Sequence, residues 1–209
     1  MKQKITLGLT IVLLTGLWIA CGTSTKITAY WGDKTYEKGK IDRVLILGIT
    51  KRESIRRIYE EDMVEKLEYY GVEGSPSAEL FPMDQKLDTN TFRLHFKNEG
   101  FDAVITAELV SADKDTRYES GSGYGGYNRG FYGNYGSSYN NMYSPGYTYT
   151  TTTLKIETNL YDTKTEKLIW SGISETFEPS NEMDAIRSLN RAVTSTLNKQ
   201  GYFGDPKKK

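Results

Sequence analysis

Hydrophobic positions fall into blocks whose spacing changes along the chain. Val44-Leu45-Ile46-Leu47-Gly48-Ile49 is a continuous apolar run with β-branched residues, which predicts a strand buried on both faces. Ile55, Tyr59, Met63, Leu67 and Tyr70 then recur at steps of three or four. Charges fill the other faces, and Gly71 follows where a helix C-terminus takes glycine. Val72-Glu73-Gly74-Ser75 reads as a short second strand ended by Pro76. Asp88 or Thr89 can cap a second helix carrying Phe92, Leu94, His95 and Phe96, stopped by Gly100. Phe101 to Val110 predicts a third strand. Thr151 to Tyr161 predicts a fourth, with Leu154, Ile156, Thr158 and Leu160 on one face. Asp162 to Lys167 is a turn, and Leu168 to Phe177 returns as the other arm of a hairpin. Pro179-Ser180-Asn181 opens a last helix faced by Met183, Ile186, Leu189, Val193 and Leu197 and closed by Gly201.

The order is β-α-β-α-β-β-β-α. It predicts a single α/β (α+β) domain over residues 41–203, with a mixed, mostly parallel sheet, an antiparallel hairpin and three helices. One segment breaks the pattern. Residues 120–150 hold eight Gly and eight Tyr and no Leu, Ile or Val. Such a stretch buries too little apolar surface to offset its ordering entropy, so it reads as an insertion in the sheet. Residues 204–209 are a short basic tail.

The N-terminus has a pattern of its own. Lys2 and Lys4 precede an apolar run from Ile5 to Ile19, shorter than the ~20 residues of a membrane span, and Ala20 ends it. Residues 1–20 therefore read as a signal peptide. Cys21, the sole cysteine, follows directly. Leu17-Trp18-Ile19-Ala20-Cys21 resembles a bacterial lipobox, with Trp18 where Leu is usual. The resemblance implies that Cys21 is acylated with palmitate-type chains and becomes the mature N-terminus. Several acyl chains, at ~0.8 kcal/mol per buried CH₂, hold a protein stably on a membrane. Gly22, in place of an aspartate, implies the outer membrane by the sorting rule of such lipoproteins. Gly22-Thr23-Ser24-Thr25 lacks an acidic export run, which favours the periplasmic face. Residues 21–40 are polar and read as a lipidated tether or loosely packed arm.

A second resemblance covers most of residues 43–200. Arg43-Val44-Leu45-Ile46, Gly100-Phe101-Asp102-Ala103-Val104, Leu160-Tyr161-Asp162 and Lys167-Leu168-Ile169-Trp170-Ser171-Gly172 resemble a group of small, uncharacterised bacterial outer-membrane lipoproteins. At fold level the pattern is similar to the N-terminal α/β domain of TolB and to the curli secretion lipoprotein. These residues are structural in kind, with Asp162 suited to a hairpin turn and Trp170 to anchoring a strand.

Composition narrows the chemistry. The chain has 209 residues, with 27 basic and 27 acidic side chains, and its first twenty hold two lysines and no acid. A near-neutral body does not bind nucleic acid through phosphate neutralisation. With one Cys and one His, a Cys/His metal cluster and an internal disulfide are both excluded. His95 has no nucleophile elbow to serve, since Gly121-Ser122-Gly123 lies inside the insertion. The carboxylate pairs (Glu60-Glu61-Asp62, Asp113 with Asp115, Asp162 with Glu166) read as solvated faces and turns rather than glycosidase acids. Arg52, Arg56 and Arg57 gather at a helix start, where cations oppose the dipole; they read either as an anion grip or as a solvated face. No phosphate loop is present.

The remaining candidates are the tyrosines of the insertion, Tyr124, Tyr127, Tyr132, Tyr135, Tyr139 and Tyr143, continued by Tyr147 and Tyr149. Tyrosine offers a flat apolar face and a polar tip at small entropic cost, as binding loops exploit. A tolerated flexible loop accounts for them equally simply. The sequence leads us to expect a non-enzymatic, lipid-anchored envelope protein without cofactor or metal, acting in binding or assembly. Its partners would be the membrane and, through the tyrosines, envelope proteins or peptidoglycan. The rivals are an envelope glycan or peptide hydrolase and a Tyr-rich self-associating structural protein.

Overall fold

The structure, a computed structural model, describes residues 23–81, 99–119 and 147–204. The helix expected after Asp88 or Thr89, with His95, lies outside them. The elements are β1 (Thr25–Gly32), β2 (Arg43–Ile49), α1 (Glu53–Glu68), β3 (Glu73–Pro76), the single turn α2 (Ser77–Leu80), β4 (Ala103–Glu119), β5 (Tyr147–Asp162), β6 (Leu168–Phe177) and α3 (Glu182–Lys199). The strands form one mixed six-stranded sheet in the order β1-β6-β5-β4-β2-β3. β2 pairs in parallel with β3 and β4, and the other three pairings are antiparallel. The fold is thus the single α+β domain expected from the pattern, but the sheet is mostly antiparallel rather than mostly parallel, because β4 pairs antiparallel with β5 along its whole length and β1 adds antiparallel to β6.

Strand alternation decides the two faces. Val44, Ile46, Ala103, Ile105, Leu160 and Trp170 point to one face and are buried under α1 and α3, whose Met63, Leu67, Leu189, Val193 and Leu197 complete the main core. Leu45 points the other way and forms a smaller cluster with Phe81 and Phe101. α1 ends at Gly71 and α3 at Gly201, with φ of 75° and 78°, the left-handed conformation that closes a helix. Asn181 caps α3: its side chain accepts from the Asp184 N–H at 2.8 Å. Met183, expected on the core face of this helix, is exposed.

Three expectations about extent change. Residues 21–40 were expected to be a tether, yet Thr25–Gly32 is a strand on the sheet edge, antiparallel to β6. An edge strand needs only one apolar anchor, and here Ile27 packs on the core while the Thr25 hydroxyl meets that of Thr176 at 2.6 Å. The lysines that make the segment look solvated, Lys34, Lys38 and Lys40, come after the strand. Second, β4 runs on to Glu119 and β5 starts at Tyr147, inside what read as the insertion. Thr148 to Thr153 is β-branched at every position but Tyr149, and pairs such as Thr116 with Thr150 (hydroxyls 3.1 Å apart) hold the ribbon together. Beyond Thr153↔Phe177 β5 pairs with no strand on the β6 side among the described residues, so Lys114–Glu119 against Tyr147–Thr152 stand as a two-stranded ribbon, ~20 Å long.

Third, the returning arm of the hairpin, Leu168–Phe177, does not alternate regularly at its start. The register passes from Leu160↔Trp170 to Tyr161↔Leu168, so Ile169 is an extra residue in a bulge. The bulge lets consecutive Ile169 and Trp170 both be buried, while Phe177 stays exposed.

At the end of the sheet that carries the β5–β6 turn, Tyr36 stacks on Tyr202 with centroids 6.1 Å apart. Burial, then the nearby Asp162 and Asp102, push the Tyr36 phenol from 10.0 up to about 12. The fold therefore holds this phenol neutral, whereas the unfolded chain ionises it first. Its contribution is complete below pH 10 and is lost as pH rises from 10 towards 12. Urea midpoints should fall through that window, and Tyr36→Phe should flatten the fall. A slope unchanged in the variant would assign the alkaline loss elsewhere.

Candidate functional site

The parallel pairing of β2 with β4 stops at Ile49 and Glu108, where β2 ends and β4 runs on. The helices α1 and α3 both begin at this same end of the sheet. Further down, large side chains such as Ile46, Ile105, Met63 and Leu189 fill the space between sheet and helices. At this end the strands carry Gly48 and Ala107 and the helix carries Ala185, and the layers are left unfilled. The result is a crevice of about 420 Å³, within the ~300–1,000 Å³ typical of ligand pockets. Open α/β sheets place ligands beyond the carboxyl ends of their parallel strands; here the crevice lies beyond the carboxyl end of β2 and alongside the middle of β4.

The crevice is walled by aliphatic side chains: Ile49, Ile55, Leu109, Leu154, Ile156 and Ile186. Tyr59 is the one aromatic in the lining. It is buried, its hydroxyl has no hydrogen-bond partner among the described residues, and burial followed by Glu60 pushes its phenol far above the ordinary range. It therefore presents a neutral wall. Gly48 gives the ring room: a Cβ there would sit 3.0 Å from the Tyr59 ring, a tight contact. At the lip, Arg52 before α1 and Glu182 in the first turn of α3 form a two-pronged ion pair, with Nη2 to Oε2 at 3.0 Å. Mutual hydrogen bonding raises the Arg52 pKa further. The arrangement is suited to enclosing an apolar group beneath a polar rim.

Behind the lining lies a buried polar knot. Glu60 is fully buried and accepts through Oε1 from Gly48 N–H (3.0 Å), Arg56 Nε (3.0 Å) and the Ser77 hydroxyl (2.7 Å). Its Oε2 accepts from Ala78 N–H at 2.7 Å, and Arg56 Nη2 donates to Ser77 at 2.8 Å. The knot ties β2, α1 and α2 together beside the crevice. This also resolves the three arginines. Arg56 is buried with Glu60, Arg57 pairs with Glu53 at 2.8 Å and Arg52 with Glu182. Their charges are engaged within the domain, so the anion reading falls. For Arg56 and Glu60 the reading as a solvated face falls as well.

The chain enters the domain at this end. The Thr23 hydroxyl accepts from the Ser180 N–H at 3.4 Å, and Ser180 sits between Pro179 and Asn181, two crevice residues. Glu178 N–H donates to Thr152 O at 2.8 Å, which places the base of the β4–β5 ribbon beside them. Entry point, crevice and ribbon thus converge. Cys21 and Tyr124, Tyr127, Tyr132, Tyr135, Tyr139 and Tyr143 lie outside the described residues. Tyr149 is half-buried on the ribbon opposite Arg117. Sequence reading missed the crevice, whose only signal was small residues, Gly48 and Ala107, next to aliphatic ones.

At the opposite end Asp33, Asp102 and Asp162 line a second hollow of about 330 Å³. Each carboxylate is occupied locally: Asp102 by the Asp42 and Arg43 N–H groups, Asp162 by Thr165, and Asp33 by Thr35. Among the described residues no group of His, Cys, Asp or Glu is placed to hold a metal.

The family described as Domain of unknown function (DUF4136) matches residues 66–199. No curated protein matches the chain. Among solved structures, the PelC dodecamer from Paraburkholderia phytofirmans is similar at 13% identity, covering 84% of this chain and 96% of that one, with a TM-score of 0.44. Lipoprotein GNA1162 from Neisseria meningitidis is similar at 15% identity, covering 76% and 96%, with a TM-score of 0.38. A PDZ domain protein from Parabacteroides distasonis is similar at 10% identity, covering 88% of this chain and 38% of that one, with a TM-score of 0.42.

Proposed function

The chain belongs to the DUF4136 family, and from that premise we propose that it is a lipid-anchored, non-catalytic binding or assembly protein of the bacterial cell envelope. Cys21 carries the lipid, and the domain stands at the periplasmic face of the outer membrane. The observation that carries this reading is the convergence at one end of the sheet. Thr23, two residues after Cys21, is fixed beside the crevice, and the ribbon that leads to the Tyr-rich insertion starts next to it. β1 begins at Thr25, so only a few residues separate the lipid from folded structure. The binding surfaces are therefore presented close to the membrane that holds the protein.

Cys21→Ser should remove the lipid and move the protein from the membrane fraction to the soluble fraction. A variant that still pellets with membranes after a salt wash would overturn the anchor. Replacing residues 120–146 with a short Gly/Ser turn should leave the melting temperature within the ~2–4 °C that 1 kcal/mol represents for a domain of this size. The same variant should lose the partners that crosslinking captures from intact cells. Retained partners would remove the insertion from the binding surface, and a large fall in Tm would make it part of the core.

A further inference from the structure

We propose that the crevice between the N-termini of α1 and α3 is the seat of one acyl chain of the lipid carried by Cys21 itself. The inference rests on the lipidation reading above and adds a place for the lipid within the fold. The first argument is reach. Thr23 is hydrogen-bonded to Ser180, whose neighbours Pro179 and Asn181 line the crevice. Two residues of chain span at most ~7 Å, so the Cys21 backbone lies within that distance of Thr23, with the length of the acylated side chain still to add.

The second argument is chemistry. The lining is aliphatic, as a methylene chain requires, and the only aromatic is the neutral Tyr59. The rim has one cation, Arg52, and it is already held by Glu182 through two nitrogens. A free fatty acid would bring a carboxylate to a rim whose cation is engaged, next to the acidic Glu182 and Glu108. A chain joined to the protein through an ester or amide brings no charge. The crevice therefore favours a tethered acyl chain over a free one. The other chains of the same lipid remain in the membrane, so the domain is held against the bilayer with its α1–α3 end towards it.

The test uses the full lipidated chain in its own membrane. Cells are fed a fatty acid bearing a diazirine and an alkyne, irradiated, and the purified protein is digested and mapped. The expected result is label on the N-terminal peptide and intramolecular crosslinks to peptides containing Ile55, Ile156 or Ile186. Ala185→Phe, and separately Ile156→Trp, fill the crevice and should remove those crosslinks while the label on Cys21 stays. A second measurement avoids dependence on the filled variants. Cys21→Ser protein, with the crevice vacated, should bind parinaric acid methyl ester one to one, and the lipidated protein in detergent should bind it at least tenfold more weakly. No label on the chain would overturn the lipidation reading and this proposal with it. Label without crosslinks to those peptides would overturn this proposal alone. Equal binding by the two forms would assign the crevice to a separate lipid and likewise overturn it.

Discussion

Glu60→Ala should destabilise the domain by ~3–5 kcal/mol, the cost of leaving one partner of a buried ion pair alone. The total stability of a domain is ~5–15 kcal/mol, so the loss reaches roughly a fifth or more of it. The substitution strands four donors at once: Arg56, Ser77 and the backbone N–H groups of Gly48 and Ala78. Arg56→Met removes the cation but leaves Glu60 three of its donors, so its cost should be smaller. Adding Arg56→Met to Glu60→Ala should recover part of the loss, because no charge then remains buried. Urea denaturation of the two single variants and the double variant measures all three. A Glu60→Ala variant within ~1 kcal/mol of the parent would mean that water reaches the knot and that Arg56 is solvated in solution.

Trp170→Ala should cost ~3–5 kcal/mol, the range for emptying a fully enclosed large aromatic site. Trp170 has no exposed surface and is the largest completely buried side chain in the described structure. The six-membered ring of its indole lies against Gly172 two residues on: a Cβ at that position would sit 2.3 Å from the ring. Gly172→Ala should therefore destabilise by a similar amount although it adds a methyl group, since ring and methyl cannot share the space. The paired result separates packing from binding. A ligand-contacting tryptophan would lose binding at an unchanged melt, whereas the structural role predicts low melts in both variants and no rescue by ligand. Unchanged thermal melts would move Trp170 to the functional residues.

The parts of the fold that could be read in advance are those where burial and periodicity agree. β2 is a continuous apolar run covered on both sides, and Leu45 and Ile46 are both fully buried against different clusters. α3 repeats its apolar positions at helical spacing and has a side chain suited to its cap. β1 was hidden because an edge strand is exposed along most of its length, and Tyr30 and Trp31 are more than half exposed. The ribbon was hidden because its strands are threonine and charge, residues that a strand tolerates but an apolar count ignores. The Arg56–Glu60 knot was unreadable for another reason. Four-residue spacing of opposite charges on a helix ordinarily means a solvated pair, and only tertiary packing of α2 over it takes the water away. The crevice is a matter of what is missing between layers, so no single residue announces it.

The place of β1 bears on the order in which the molecule assembles. Among the described residues its strand partner is β6 alone, and the Thr25–Thr176 contact spans 151 positions. Loop closure of that length is among the slowest contacts a domain of this size can make. The first strand of the chain to emerge from any translocation pore must therefore wait, unpaired, until nearly the last has followed. The acylation proposed for Cys21 would then act before β1 is seated, and the sheet would close after it. Cutting the chain after β5 should leave β1 without a seat even though every residue of β1 is present.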